Sequence, residues 1–94
     1  MDLKVQRKSV TSSQATQFLF DVKGTQYIVK NFTEGNIYVA LKETQNKTDC
    51  ILIPSQTAQI VEFFNGIYNS DSEIVTVISD ENSDTGVEVQ CIKW

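Results

Sequence analysis

Histidine is absent from the 94 residues, proline occurs once and glycine four times, and no apolar run approaches the length of a membrane span. Without histidine there is no usual catalytic triad, no commonest metal ligand and no easy general base near neutral pH. Neither a glycine-rich phosphate loop nor a nucleophile elbow occurs, so no catalytic residue and no cofactor is expected. A helix crossing a bilayer needs about 20 apolar residues, which leaves the membrane out of the expected partners. The opening segment has basic residues, Lys4, Arg7 and Lys8, but no apolar stretch follows them as in a secretory signal. The mature chain is therefore expected to start at Met1 and to be made in the cytoplasm.

Cysteine is also scarce. Cys50 and Cys91 lie in apolar contexts with no CxxC spacing, too few ligands for a zinc site. They read as buried free thiols, with a Cys50–Cys91 disulfide as the alternative that only geometry can decide. The sequons Asn31-Phe32-Thr33 and Asn46-Lys47-Thr48 read as chance matches in a chain without a leader.

Acidic residues outnumber basic ones by 12 to 8, and the excess is unevenly spread. Residues 1–48 hold seven Lys or Arg against four acids, while residues 49–94 hold one Lys against eight acids. Either folding interleaves the halves, or basic and acidic surfaces of neighbouring molecules meet. A pI near 4.6 argues against nucleic acid as the main partner.

What the chain has in quantity is short runs of β-branched and aromatic residues divided by polar turns. Length predicts one domain over residues 1–94. Tyr27–Leu41 reads as a hairpin around Thr33-Glu34-Gly35-Asn36, with Gly35 and Asn36 suited to positive φ. Phe32 would then pair with Ile37, Lys30 with Val39 and Ile28 with Leu41, and that face would enter the core. Leu3–Gln6 reads as a short edge strand or arm, Ser9–Gln14 as a loop, and Ala15–Val22 as a strand with Phe18, Phe20 and Val22 on one face. Gly24 would turn it into the hairpin to make a meander. Lys42–Asp49 is a solvated loop, and Cys50–Ile53, apolar on both faces, suits the middle of a sheet. Ser55–Phe64 fits either a capped helix or a strand, and its β-branched and aromatic content favours the strand. Glu73–Ile78 is a strand. Gly86–Trp94 closes the chain with Val87, Val89 and Cys91 inward and Glu88 and Gln90 outward. The pattern predicts an all-β antiparallel sandwich of seven or eight strands, with a small barrel as the alternative.

Binding chemistry is sparser. The loop Asp80–Gly86 offers oxygens at alternate positions, but Thr85 and Cys91 stand where a calcium loop needs glycine and a bidentate acid, so no metal site is assigned. Tyr27, Tyr38, Tyr68 and Trp94 could form a stacking platform for carbohydrate. Lys4, Arg7 and Lys8, with Phe18, could touch single strands if the fold were an OB-type barrel, although no aromatic interleaves them. The residues singled out for interaction are Lys4, Arg7 and Lys8, as a basic segment facing an acidic patch, and the aromatics Tyr38 and Trp94, the latter capping the end of the sheet.

Lys8-Ser9-Val10, Val29-Lys30-Asn31-Phe32-Thr33 followed by Gly35 and Ile37-Tyr38-Val39, Ile53-Pro54-Ser55, and Val87-Glu88-Val89-Gln90 with a terminal aromatic together resemble short proteins encoded among the virion morphogenesis genes of tailed bacteriophages of Gram-positive bacteria. The resemblance covers most of the chain through strand and turn motifs that contain no chemistry. It implies a small β-sandwich that decorates or connects parts of a phage particle, made in the host bacterial cytoplasm, with self or other virion proteins as partners. The alternative is a carbohydrate-binding module used in host attachment.

Overall fold

The β-branched and aromatic runs become eight strands: β1 (Asp2–Val10), β2 (Ala15–Leu19), β3 (Gln26–Asn31), β4 (Ile37–Ala40), β5 (Ile51–Ile53), β6 (Ala58–Glu62), β7 (Ile74–Ser79) and β8 (Ser83–Lys93). The computed structural model describes residues 2–22, 24–62 and 73–93. The strands form two four-stranded sheets, a front sheet of order β1-β8-β3-β6 and a back sheet of order β2-β7-β4-β5. Every pairing between these strands is antiparallel. Six of the seven connections cross from one sheet to the other, and only β4 to β5 stays within its sheet. Eight strands so ordered make the double Greek key of a jelly roll, the sandwich expected from the sequence and not a closed barrel.

The core is the space between the sheets. Tyr27, Val29, Val87, Val89 and Cys91 from the front meet Phe18, Ile37, Val39, Ile53, Val75 and Val77 from the back, all buried, with Phe20 and Val10 closing the cluster. Two-residue alternation brings each set to one face of its sheet. As expected, Val87, Val89 and Cys91 point inward, Phe18 and Phe20 share a buried face, and residues 58–62 form a strand.

The central hairpin does not form. β3 lies between β8 and β6 in the front sheet, while β4 lies between β7 and β5 in the back sheet, so residues 32–36 are a crossover and the predicted meander is absent. The cause is Asn31, buried at the end of β3. Its amide nitrogen donates to the carbonyls of Gly35 (2.9 Å), Ile53 (3.1 Å) and Pro54 (3.0 Å), and its oxygen accepts from the Thr33 N–H (2.8 Å) and hydroxyl (2.7 Å). One side chain thus satisfies backbone groups of the crossover and of the end of β5, and ties the two together. Neither Gly35 nor Asn36 has positive φ; among the described residues those values fall at Ser13, Gln56 and Gly86. Turning the chain here also inverts the expected face of β3, since Tyr27, Val29 and Asn31 are buried and Ile28, Lys30 and Phe32 are not.

Two other expectations change. β5 is an edge strand and not a central one, which leaves Ile51 and Leu52 exposed. β1 runs to Val10, into the segment read as a loop, because a bulge in β8 that includes Gly86, opposite Ser9, lets the pairing resume at Ser83. Gly86 has φ +70°, and a Cβ there would strike the Lys8 carbonyl, so only glycine fits.

Candidate interaction surface

Register decides which side chains the basic strand presents. In β1, Lys4, Gln6 and Lys8 stand opposite the inward residues Cys91, Val89 and Val87 of β8, so they lean toward the back sheet. There they meet β2, the edge strand whose outer carbonyls have no neighbouring strand. The Gln6 amide donates to the Leu19 carbonyl and the Lys8 ammonium to the Gln17 carbonyl, each at 2.6 Å. Lys8 also lies 5.4 Å from the centre of the Phe18 ring, and Lys4 is 3.7 Å from Asp21. Side-chain donors thus close this margin of the sandwich, and inward charge on an edge strand opposes further strand addition.

Arg7 has the other parity and joins the outer face of the front sheet. Three rows of side chains cross that face: Leu3, Ile92 and Gln26; then Val5, Gln90, Ile28 and Ile60; then Arg7, Glu88, Lys30 and Ala58. Leu3, Val5 and Ile60 are 53%, 52% and 56% exposed, and Ile28 and Ile92 are half-buried.

The third row is electrostatic. Glu88, expected outward in water, does face outward but is buried by its neighbours. Arg7 donates to it at 2.8 Å, Gln90 donates at 2.9 Å, and the Lys30 ammonium lies 3.7 Å away. The Gln90 and Arg7 hydrogen bonds hold its carboxyl below the ordinary value of 4.5, outweighing the desolvation that pushes the other way, and the charges of Lys30 and Arg7 add to the lowering. The Arg7 guanidinium also stands 6.0 Å from the centre of the half-buried Phe32 ring.

Tyr38 lies on the outer face of the back sheet. The Lys47 ammonium sits 4.7 Å from its ring centre and donates to Asp80 at 3.0 Å, while the Tyr38 hydroxyl donates to the same carboxylate at 3.3 Å. The Asp80 hydrogen bond raises the Lys47 pKa. Lys47 begins a 3-10 turn, Lys47–Asp49, capped by the Asn46 side chain and with no buried residue, so the segment read as a solvated loop is solvated and carries one short helical turn. Trp94 and Tyr68, expected in a platform with Tyr38, lie outside the described residues, and Tyr27 is in the core, whereas Tyr38 is on an outer face.

The thiols are unpaired, with Cys91 buried and Cys50 only half-buried against the expectation. Burial raises both pKa values, so neither is an activated thiolate. Oxygens of the 80–86 loop are used within the chain: Asn82 accepts from the Ser12 N–H and Ser83 from the Gly86 N–H. Among the described residues no three His, Cys, Asp or Glu side chains gather as a metal site. An open apolar cavity of about 250 Å³ lies among Val39, Ala40, Leu41, Ile51 and Val61, with Lys42 and Asp49 also in its wall; those two pair with each other at 3.7 Å.

Of the residues singled out from sequence, the structure brings Lys4 and Lys8 together on the inner margin, Arg7 onto the front face and Tyr38 onto the back face. The apolar members of the front face were missed because Leu3–Gln6 was read as an edge strand or arm with no face assigned and Ile28 was expected on the core face. A signal existed, since Lys4, Gln6 and Lys8 alternate with Leu3, Val5 and Arg7, and the parity could have been read either way. Comparison of the chain with protein-family models, with curated proteins and with solved structures finds no match in any of the three.

Proposed function

We propose that this protein is a structural or interaction module that works by contact with other proteins. We assign it to the particle of a tailed bacteriophage of Gram-positive bacteria, as a head-decoration or connector-type accessory made in the host cytoplasm. The observation that carries the contact reading is the outer face of the front sheet, where Leu3, Val5 and Ile60 remain more than half exposed beside Ile28 and Ile92. A contiguous apolar face bordered by fixed polar groups is what a partner surface covers, at about 25 cal/mol gained per Å² removed from water. The virion assignment rests on the sequence resemblance. Jelly rolls occur in viral capsid and lectin domains alike, an analogy of fold that carries no function by itself. Carbohydrate binding is the weaker reading, because Tyr27 is interior and the Tyr38 ring is faced by Lys47.

Mass spectrometry of purified particles of the phage that encodes the chain tests the assignment: the protein is expected in many copies per particle, and its absence from them overturns the virion role. A glycan array run beside it tests the mechanism. Specific sugar binding that survives Val5→Glu overturns the contact reading.

A further inference from the structure

Resting on that contact reading, we infer that the occupant of the front face is a second copy of this chain, packed face to face about a two-fold axis that runs along the strands between β8 and β3. Such an axis exchanges β8 with β3 and β1 with β6. Within one sheet Lys30 stands beside Glu88, as Ile28 stands beside Gln90 and Gln26 beside Ile92. After the exchange, Lys30 of each copy lies over Glu88 of the other, so the two Lys30–Glu88 dipoles oppose head to tail. At the two margins Val5 of one copy meets Ile60 of the other, an apolar contact made twice. A face that is its own complement in this way is what an isologous dimer requires.

Charge selects this axis over the alternative. A two-fold perpendicular to the strands would set the Arg7, Glu88 and Lys30 row against Leu3, Ile92 and Gln26 of the second copy. That would bury the Glu88 carboxylate and the Arg7 guanidinium under Ile92 and Leu3, an arrangement proteins use to reject partners. Sheets packed face to face lie within about 30° of alignment, which the strand-parallel axis permits.

Area sets the strength. Four strands about 4.8 Å apart and three rows about 7 Å apart cover roughly 300–400 Å² of flat face. The two copies together then bury roughly 600–800 Å², below the roughly 1,200–2,000 Å² of stable complexes. The dimer is therefore weak, with a dissociation constant on the order of 10 μM to 1 mM, strong enough to act where many copies are held side by side.

Sedimentation velocity from about 10 μM to about 1 mM reads this directly, with circular dichroism confirming that each variant is folded. Wild type is expected to pass from monomer to dimer across the range. Val5→Glu and Ile60→Lys, both at exposed positions, should each weaken dimerisation at least about 10-fold. Mixing the two variants should restore the dimer, because the new carboxylate at position 5 then faces the new ammonium at position 60. A wild type still monomeric at the top of the range, variants that dimerise unchanged, a mixture that stays monomeric, or open-ended assembly each overturns the dimer. If any of these accompanies abundant protein in particles, the contact reading stands and only the second copy as occupant is wrong.

Discussion

The outer faces of the two sheets differ at their middle strands, although both leave apolar residues exposed on their edge strands, Leu19 and Leu52 on the back and Leu3, Val5 and Ile60 on the front. On the back sheet, Ala40, Thr76 and Ile78 point away from the core, yet all three are buried. The chain after β4 folds over them: the Thr76 hydroxyl donates to the Lys42 carbonyl at 2.7 Å, and Lys47 reaches across Tyr38 to Asp80. On the front sheet the row Val5, Gln90, Ile28 and Ile60 has no such cover among the described residues, and it lies between the charged row and the row of Leu3, Ile92 and Gln26. A sheet of this size buries one face in its own core, and what happens to the second is decided by the connecting segments. The back sheet receives the longest described connection, whereas β3, β6 and β8 of the front sheet are reached by connections that run around the ends.

That difference can be broken most forcefully by putting the same charge on both faces. Ile78→Glu forces a carboxylate under the covering segment and should cost about 3 kcal/mol or more, or prevent folding. Ile60→Glu enters water and should cost less than about 1 kcal/mol. Urea midpoints of the two variants check this, and equal losses would mean that the back face is no more closed than the front.

The two faces belong to one body because the crossover at Asn31 ties their sheets together. Asn31→Ala strands the Thr33 N–H and removes the donor to three carbonyls, and the expected loss is about 2–4 kcal/mol. Denaturation followed by separate probes on each sheet would sharpen the point: a single coincident transition at lower stability is expected, and two separate transitions would show that the sheets unfold independently.

The smallest effect concerns the charged row of the front face. Glu88 titrates below its ordinary value of 4.5 in the folded protein, so the folded state binds its proton less readily than the unfolded state. Its contribution is fully present above about 4.5 and is lost as pH falls from there through the lowered folded value. Stability measured between pH 7 and pH 3 should therefore fall more steeply in wild type than in Glu88→Gln. Parallel curves would mean that Arg7 and Gln90 do not favour the ionised carboxylate.

Fold class was legible because alternation and β-branching are local signals. β7 falls where its pattern lies, β8 begins three residues earlier than read, at Ser83 within the loop read at Asp80–Gly86, the inward set Val87, Val89 and Cys91 is right, and the strand reading of residues 58–62 holds against the helical one. Partners were illegible, since a register says which residues share a face but not which strand lies alongside. The Tyr27–Leu41 stretch had the composition of a hairpin, and its fate turned on Asn31, whose hydrogen bonds to Ile53 and Pro54 come from distant sequence. β5 misled because exposed apolar residues at an edge look the same as buried ones at a centre. The charge division proved to be sequence order in large part, for Arg7 and Lys30 meet Glu88, Lys42 meets Asp49, and Lys47 meets Asp80 across the two halves. The front face was illegible for the reason Lys4 and Lys8 were: their parity is set by the unpaired carbonyls of β2, which no local pattern reveals.

Strand order has a consequence for synthesis. Apart from β4 with β5, each strand pairs with one made much earlier or later, and β1 pairs with β8, whose Glu88 follows Arg7 by 81 residues. At about 5–20 residues per second, a ribosome takes roughly 4–16 s to cover that distance. A completed chain dominated by non-local pairings folds in about milliseconds to seconds. The nascent protein thus spends longer waiting for its own last strand than folding once it arrives, and through that interval β1 emerges with no edge to join. Translation speed, more than the search for the native state, sets how long its unpaired strands are open to chaperones or to one another.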